Sequence, residues 1–228
     1  QKLLAAIDIW PAVADQAQRL NEVKASDGHA GEGPAPFFLH FDSRELDSGP
    51  VGYMLEDRFL YRAFLSAMRA TPGITLIHDT AVTAQEVAPG GISVTLSDGR
   101  TLSARILVGA DGRKSGVAER AGITRSGWDY GQVALVAAIE HEKPHHGIAH
   151  QFFMPTGPLA ILPLPGNRCS IVWSTGNAQA RELMAMDDAA FIEALKPIFG
   201  SHLGMLSLAG RRYSHPLNLT LADSFIAE

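Results

Sequence analysis

The sequence predicts a mixed α/β protein in which an α/β portion, up to about residue 127, precedes a portion rich in antiparallel strands. Three observations predict this class. At LVGADGRKS, residues 107–115, an apolar strand runs directly into a glycine turn and a helix. Four apolar runs separated by turn residues follow between residues 131 and 175, as in a sheet meander. A helical pattern then covers residues 186–200.

The first elements are predicted from periodicity and turn residues. QKLLAAIDIW begins a helical pattern that we expect to reach about residue 20, with Pro11 tolerated in a first turn. The Gly/Pro-rich stretch 26–36 predicts a loop. Residues 37–43 and 51–56 are predicted to be two antiparallel strands joined by a polar connection.

The next segments predict a helix, a strand and a meander. Asp57 is the expected N-cap of a helix that runs to about Met68. ITLIH, residues 74–78, predicts a short buried strand. Residues 80–110 alternate as three strands joined by two glycine-containing turns.

The remaining elements follow the glycine turn at 109–112. A helix is predicted over about 114–121, with Gly122 as its C′ residue. Asp187 is the expected N-cap of the helix over 186–200, and a final strand is predicted at about 205–213. The strands of the predicted meander are 131–142, 147–155, 159–165 and 169–175.

Composition excludes several classes of function. The formal net charge is −5 and the basic residues form no cluster, so no nucleic-acid partner is expected. The single cysteine, Cys169, cannot form an internal disulfide, lies in an apolar run, and indicates a buried thiol in a reducing cytoplasm. No stretch has the ~18 apolar residues of a spanning helix, and no signal peptide is recognised.

Two further patterns bear on a metal site and on a catalytic site. HEKPHHGIAH places four histidines within residues 141–150, which suits a metal site by residue type. The run spans a predicted hairpin and no further ligand completes a tetrahedral set, so we expect a solvated turn and no metal. A serine hydrolase is not expected, because the G-x-S-x-G elbow is missing.

The glycine turn is the strongest chemical signal. A strand that ends in small residues and feeds a helix can place a phosphate-bearing ligand at the helix N-terminus, where N–H groups are unpaired. Gly109 and Gly112 allow close backbone approach and positive φ. The carboxylate of Asp111 suits ribose hydroxyls or a neighbouring arginine, so a dinucleotide fits better than bare phosphate. The alternative is an Asp-Gly turn that only caps the following helix.

The full segment ILVGADGRKSGVAERAGI, residues 106–123, resembles the DG motif of the class A flavoprotein aromatic hydroxylases. In that family the motif lies near the FAD pyrophosphate and is linked to nicotinamide binding. Four more segments are similar to the branch that hydroxylates polyprenyl-phenols in ubiquinone biosynthesis. They are 50–65, 128–142, 157–165 and 168–174, and the resemblance runs in order over essentially the whole chain.

The resemblance implies cofactors and site residues. The cofactors are FAD and NAD(P)H, and the flavin carries the chemistry, so no catalytic side chain is nominated. Asp111, Gly112 and Ser115 match the DG motif, and Asp57 and Arg58 match a segment where the family contacts the flavin. Asp57 has an equal interpretation as a plain helix N-cap, and Arg58 as an exposed helix residue.

One position departs from the family pattern. Many members have arginine where this chain has Ala118, which removes a charge partner for the pyrophosphate. Arg113, Lys114 and Arg120 are the residues that can compensate.

Two family motifs are missing, the early G-x-G-x-x-G and the later Gly-Asp segment. Both ends of the chain also lack caps. We therefore expect an internal fragment that binds little or no FAD and is inactive by itself. Its fold is expected to be part of an FAD/NAD(P)-binding fold plus an antiparallel-sheet substrate domain. The predicted domains are 1–36 with 57–127 for flavin, and 37–56 with 128–228 for substrate.

The function implied by the resemblance is hydroxylation of a polyprenyl-phenol ring. Partners would be that substrate, other ubiquinone-biosynthesis proteins and a peripheral contact with the inner membrane. Two alternatives stay open: a hydroxylase for a small soluble aromatic, and a flavin-free module for lipid binding or assembly.

Overall fold

The structure is a computed structural model that describes residues 1–29, 33–47 and 49–227. It divides into two compact units. The first combines Gln1–Thr71 with Gly131–Leu217, and the second combines Pro72–Tyr130 with the residues from Asn218 onward. Helices and several sheets occur together, so the predicted mixed α/β class is confirmed.

The bounds of the elements are as follows. The helices are α1 (Lys2–Ala6), α2 (Trp10–Val13), α3 (Asp57–Ala70), α4 (Gly116–Arg120), α5 (Asn177–Ala185) and α6 (Asp188–Phe199). The first seven strands are β1 (Gln18–Leu20), β2 (Glu22–His29), β3 (Gly33–Asp42), β4 (Gly52–Met54), β5 (Val82–Ala88), β6 (Gly91–Leu96) and β7 (Thr101–Ala104). The others are β8 (Arg125–His141), β9 (Ile148–Phe153), β10 (Leu159–Leu164), β11 (Arg168–Gly176), β12 (Leu206–Leu208) and β13 (Tyr213–Ala222).

The main sheet runs in the order β12-β8-β11-β10-β9-β2-β3, and β13 also pairs with β8. The four strands predicted between 131 and 175 are all present. Their order differs from a simple meander, because β8 pairs with β11 while β9 lies between β10 and β2. The pairing of β2 with β9 is parallel, and all other pairs given for the main sheet are antiparallel.

One face of this sheet forms the core with α5 and α6. Alternate residues such as Ile139 and Ile171 are fully buried against Phe191 and Leu195 of α6. The predicted cap is confirmed, since the Asp187 carboxylate accepts a hydrogen bond from the Ala190 amide at 2.8 Å. The helix α5 was not predicted from the sequence, because it buries only two residues and its apolar residues therefore show a weak helical period.

The predictions for the N-terminal stretch were partly wrong. The helix expected to residue 20 stops at α1, because Asp8 has a φ of 57°, and the chain resumes as the short α2 and then β1. The loop expected at 26–36 lies largely within β2 and β3, and residues 30–32 are outside the described part. The strands expected at 37–43 and 51–56 do not pair with each other: β3 pairs with β2, and β4 with β1.

The sheet of the second unit is β5-β6-β7, as the predicted meander requires. Its last strand ends at Ala104 rather than 110, so residues 105–110 are not a strand. The buried strand expected at 74–78 is also wrong, since Ile74 is 46% exposed and no ladder forms there. Among the described residues, no strand pairs with residues 74–78 or 105–110. An apolar run without a neighbouring strand cannot form the backbone hydrogen bonds of a sheet.

Cys169 is completely buried, as expected, and burial raises the pKa of its thiol to about 12. The solvated turn expected for the histidine run was wrong for two of its members. His141 is buried, and its Nδ1 lies 2.8 Å from the Lys143 carbonyl oxygen. The His150 ring lies 4.9 Å from that of His202, and Nδ1 of His150 has no partner in the described chain.

This burial makes the protein sensitive to acid. Burial, and then the nearby charges of His202 and Lys24, lower the pKa of His150 to about 4, against a smaller opposing effect of Glu22. Between about pH 6.5 and pH 4, the His150 imidazole is therefore protonated in the unfolded chain but remains neutral in the folded chain. We expect this histidine to make the free energy of unfolding fall by roughly 1 kcal/mol per pH unit as the pH drops from about 6.5 toward 4.

Urea unfolding of the wild type and of His150→Phe, followed across this range, measures the effect. The variant should lose much less stability with falling pH than the wild type. His215→Gln, which replaces an exposed histidine, should leave the slope of the wild type unchanged. Equal slopes for wild type and His150→Phe would contradict the assignment.

None of the described helices is long and apolar enough to cross a membrane.

Candidate functional site

The glycine turn is held together by the Asp111 carboxylate. The Ser115 hydroxyl donates to Oδ1 of Asp111 in a short hydrogen bond, and the Val117 amide donates to Oδ2 at 3.1 Å. These two bonds, the Ser115 hydroxyl first, lower the pKa of the Asp111 carboxyl. The Ser115 Oγ in turn accepts from the Ala118 amide at 3.0 Å, as the N-cap of α4.

This geometry corrects one expectation. The first amides of α4 were expected to be unpaired and available to a phosphate, but Asp111 and Ser115 already use those of Val117 and Ala118. The carboxylate between the glycines therefore caps the helix, which was the alternative interpretation of the turn. The helix is also short, with five residues. Any contact with a phosphate at this turn must come from side chains or from the turn itself.

The two glycines have different roles. Gly112 has a φ of 82° with open space around it, so it provides the left-handed turn that was predicted. Gly109 packs closely against α4: a Cβ there would lie 3.0 Å from Cγ1 of Val117. Gly122, with a φ of 72°, ends α4 as expected.

An exposed arginine lies beside the turn. Gly116 has no side chain, and Nη1 of Arg120 lies 2.8 Å from where its Cβ would be. The Arg120 Nε donates to Oε1 of Gln85 at 3.3 Å, and Gln85 donates from Nε2 to the Val117 carbonyl at 3.1 Å. Arg120 is one of the substitute cations predicted from the sequence, whereas Gln85 was not predicted, since a polar residue within a strand pattern carries no motif.

Asp57 and Arg58 belong to the first unit, and the turn residues to the second, so each group is described by itself. Asp57 is the first residue of α3 and the N-cap position is Glu56, so its predicted capping role was wrong. Arg58 forms an ion pair with Glu56 at 2.6 Å, and its guanidinium lies 4.6 Å from the centre of the Phe59 ring. Its expected contact with a cofactor stays a prediction.

Removing the Ser115 hydroxyl should open the turn locally. Ser115→Ala deletes both the cap of α4 and a donor to Asp111, which we expect to cost about 1–2 kcal/mol. Hydrogen exchange of the Val117 and Ala118 amides should accelerate by about tenfold or more. Ser103→Ala, an exposed position on β7, is the matched control and should change neither rate. Unchanged exchange in Ser115→Ala would contradict the capping role.

The model of the FAD binding domain family matches residues 13–216. The chain is 40% identical over 99% of its length to ubiquinone hydroxylase UbiL of Rhodospirillum rubrum, covering 51% of that protein. It is 34% identical over 79% of its length to the mitochondrial ubiquinone biosynthesis monooxygenase COQ6 of Rattus norvegicus, covering 40% of it.

Among solved structures, PqsL of Pseudomonas aeruginosa, described as a probable FAD-dependent monooxygenase, superimposes with a TM-score of 0.75. The match covers 95% of this chain and 60% of that one, at 22% identity, and therefore shows a shared fold. The chain spans about half the length of the curated relatives it matches.

Proposed function

Because the chain belongs to the FAD binding domain family, we propose that it is part of an FAD-dependent monooxygenase acting in ubiquinone biosynthesis. The reaction is hydroxylation of the aromatic ring of a polyprenyl-phenol. The observation that carries the proposal is the ordered DG turn, within a sequence similar over 99% of its length to a named ubiquinone hydroxylase.

The residues present fit one edge of a dinucleotide. Gly112 leaves open space at the turn, and Arg113, Lys114 and Arg120 place positive charge around it. We propose that these cations hold the FAD pyrophosphate, while Asp111 and Ser115 keep the turn in shape. FAD, when bound, supplies the redox and oxygen chemistry, with NAD(P)H as the source of electrons. The protein's part is to bind, orient and exclude water.

We also propose that this chain by itself binds no flavin and is inactive. Ile106 and Val108 are 75% and 74% exposed, although residues 106–110 have the composition of a buried strand. Ile74 and Ile77 in the other apolar segment are exposed as well. Neighbouring strands from further polypeptide would cover them, and relatives twice as long supply such a length.

An apolar sheet face supports a polyprenyl substrate over a small soluble aromatic. Leu39, Phe41 and Phe153 are each more than half exposed. The strand register places them on the same face, because Leu39 lies opposite Ala25, Phe41 opposite Val23, and Phe153 opposite Asp27. We propose that this face contacts the apolar tail, at the cytoplasmic periphery of the inner membrane and near other ubiquinone-biosynthesis proteins.

The same apolar face also favours the second candidate, a flavin-free module for lipid binding or assembly. That candidate needs no cofactor, so flavin binding separates the two.

The test is a titration with FAD, followed by flavin fluorescence and the visible spectrum. The purified chain should not bind up to about 100 μM FAD, whereas the longer polypeptide that carries it should bind FAD and hydroxylate a polyprenyl-phenol. Tight stoichiometric binding to the chain alone would overturn the fragment proposal. A longer polypeptide without FAD would overturn the hydroxylase proposal and favour the lipid-binding module.

A further inference from the structure

We propose that Glu22, His40 and Asp42 form a binding site for a divalent transition-metal ion of the zinc type. All three residues belong to the first unit, and we call them the β2–β3 cluster. The proposal goes beyond the proposed function and does not rest on it, because it uses no residue assigned to the flavin or to the polyprenyl tail.

The cluster is assembled by the pairing of β2 with β3. Glu22 lies directly opposite Asp42 in this antiparallel pair, and His40 is two residues before Asp42 on the same strand. Residues two apart on a strand, and residues opposite each other on neighbouring strands, project from the same face of a sheet. The three side chains therefore share one face, opposite to the face of Leu39 and Phe41.

The possible ligand atoms of the cluster converge. One atom from each side chain, a carboxylate oxygen or an imidazole nitrogen, lies within 4.8 Å of the other two. Nε2 of His40 is 2.8 Å from Oε2 of Glu22. Bonds of about 2.0–2.1 Å to a tetrahedral zinc ion separate neighbouring ligand atoms by about 3.3 Å. Small rotations of these side chains are therefore sufficient to surround an ion.

The two opposed carboxylates require a cation between them. Like charges directly opposite on neighbouring strands destabilise a sheet, and Asp42 is only 6% exposed. Two basic side chains offset part of this charge: Lys24 lies 3.1 Å from Glu22, and Arg44 lies 2.5 Å from Asp42. Each contacts one carboxylate, and among the described residues no basic side chain pairs with both. One ion bound to all three ligands supplies that bridge.

A metal ion can displace these basic side chains. The Arg44 side chain is 81% exposed, and an ion pair so accessible to water adds little to stability. Both carboxylates are ionised at neutral pH, because Lys24 lowers the pKa of Glu22 and Arg44 lowers the pKa of Asp42 to about 2. Glu22 and His40 are partly exposed, so an ion can reach them from solvent.

The types of ligand select the class of ion. One imidazole nitrogen with two carboxylate oxygens suits Zn²⁺ and neighbouring transition metals, whereas Mg²⁺ and Ca²⁺ prefer oxygen ligands alone. Three protein ligands leave the fourth position of a tetrahedral ion to water. The ion joins β3, the last strand in the order of the main sheet, to β2. We therefore expect zinc to stabilise the folded chain.

Isothermal titration of the metal-free 228-residue chain with zinc chloride tests the site. One ion should bind with a dissociation constant of about 10 μM or lower, and His40→Gln or Glu22→Gln should raise that constant by about tenfold or more. Arg44→Gln removes a competing cation and should lower it by about threefold. Asp42 is left in place, because its carboxylate also accepts from the Arg44 amide at 2.9 Å and begins the turn at 43–45.

Glu45→Gln and His215→Gln are the matched controls, since they remove an exposed carboxylate near the cluster and an exposed histidine outside it. Their constants should stay within about twofold of the wild type. About 5 mM Mg²⁺ should not displace the zinc, and displacement would overturn the assignment to a transition metal. Equal constants for wild type and His40→Gln would show adventitious binding at other histidines and overturn the site.

Urea unfolding supplies a second readout that does not depend on a heat of binding. Zinc at about 100 μM should raise the urea midpoint of the wild type and leave that of His40→Gln unchanged. A rise of the same size in both proteins would place the ion elsewhere and overturn the proposal. No heat of binding and no change of midpoint up to about 1 mM zinc would overturn it as well.

Discussion

Gly157→Ala will destabilise the first unit severely, by about 3–5 kcal/mol. Gly157 is buried, with a φ of 126°, a backbone conformation that side chains rarely allow. A Cβ there would lie 2.2 Å from the Ser174 carbonyl oxygen and 2.9 Å from its carbonyl carbon. Both atoms belong to the backbone of β11, whose Ser174 amide also donates to the Pro158 carbonyl at 2.8 Å. The strand cannot move without breaking this bond.

Urea unfolding followed by circular dichroism measures the loss, with the yield of folded protein as a second readout if the variant does not fold. Gly176→Ala is the matched control at the end of the same strand, because its Cβ would meet nothing within 4 Å and its φ is not positive. It should cost less than about 1 kcal/mol. A Gly157→Ala variant as stable as Gly176→Ala would show that the backbone at this turn is not closely packed.

Arg212→Ala should cost about 2–4 kcal/mol, the second large effect. The Arg212 guanidinium donates to the carbonyl oxygens of Leu183 at 2.9 Å and Met186 at 2.5 Å, which end α5. It also lies 4.9 Å from the centre of the Phe191 ring, and 3.4 Å from the Asp188 carboxylate. The side chain is only 13% exposed, so its removal leaves two helix-end carbonyls without their donor in a place with little water.

Three matched variants divide this effect among its contacts. Arg211→Ala changes the exposed neighbouring arginine and should cost less than about 0.5 kcal/mol. Asp188→Asn should also cost little, because that carboxylate is 75% exposed and its ion pair is screened. Arg212→Lys should lose much of the stability that Arg212→Ala loses, since one ammonium group cannot bond to both carbonyl oxygens. If Arg211→Ala and Arg212→Ala unfold at the same urea concentration, the capping role of Arg212 is wrong.

Elements with a clear period or cap were predicted well. The four strands of the main sheet, the β5-β6-β7 meander and α6 with its Asp187 cap all follow from residues close together in the chain. The family was predicted from the DG motif, and the match over residues 13–216 confirms it. The function of the whole protein stays a proposal, because the chain spans about half of its relatives.

The predictions that failed concern segments whose structure depends on partners distant in sequence. Residues 74–78 look like a buried strand but are exposed, because an apolar run becomes a strand only where another strand bonds to it. β3 was recognised as extended, yet its partner is β2 and not the segment around β4. His150 sits in a run that looks like a turn, and its burial follows from contact with His202, which is distant in sequence.

The DG turn shows the same division within one site. The sequence by itself determined the glycine with positive φ, the end of α4 before Gly122 and the residues of the family motif, because each depends on neighbours within a few positions. For Asp111 the sequence left two interpretations open, and the structure selected the one in which its carboxylate caps the following helix. Only the tertiary structure decided that Gln85, 35 residues from Arg120, accepts a hydrogen bond from its Nε. Local conformational preferences are encoded residue by residue, whereas a hydrogen bond between distant side chains depends on distances that folding alone sets.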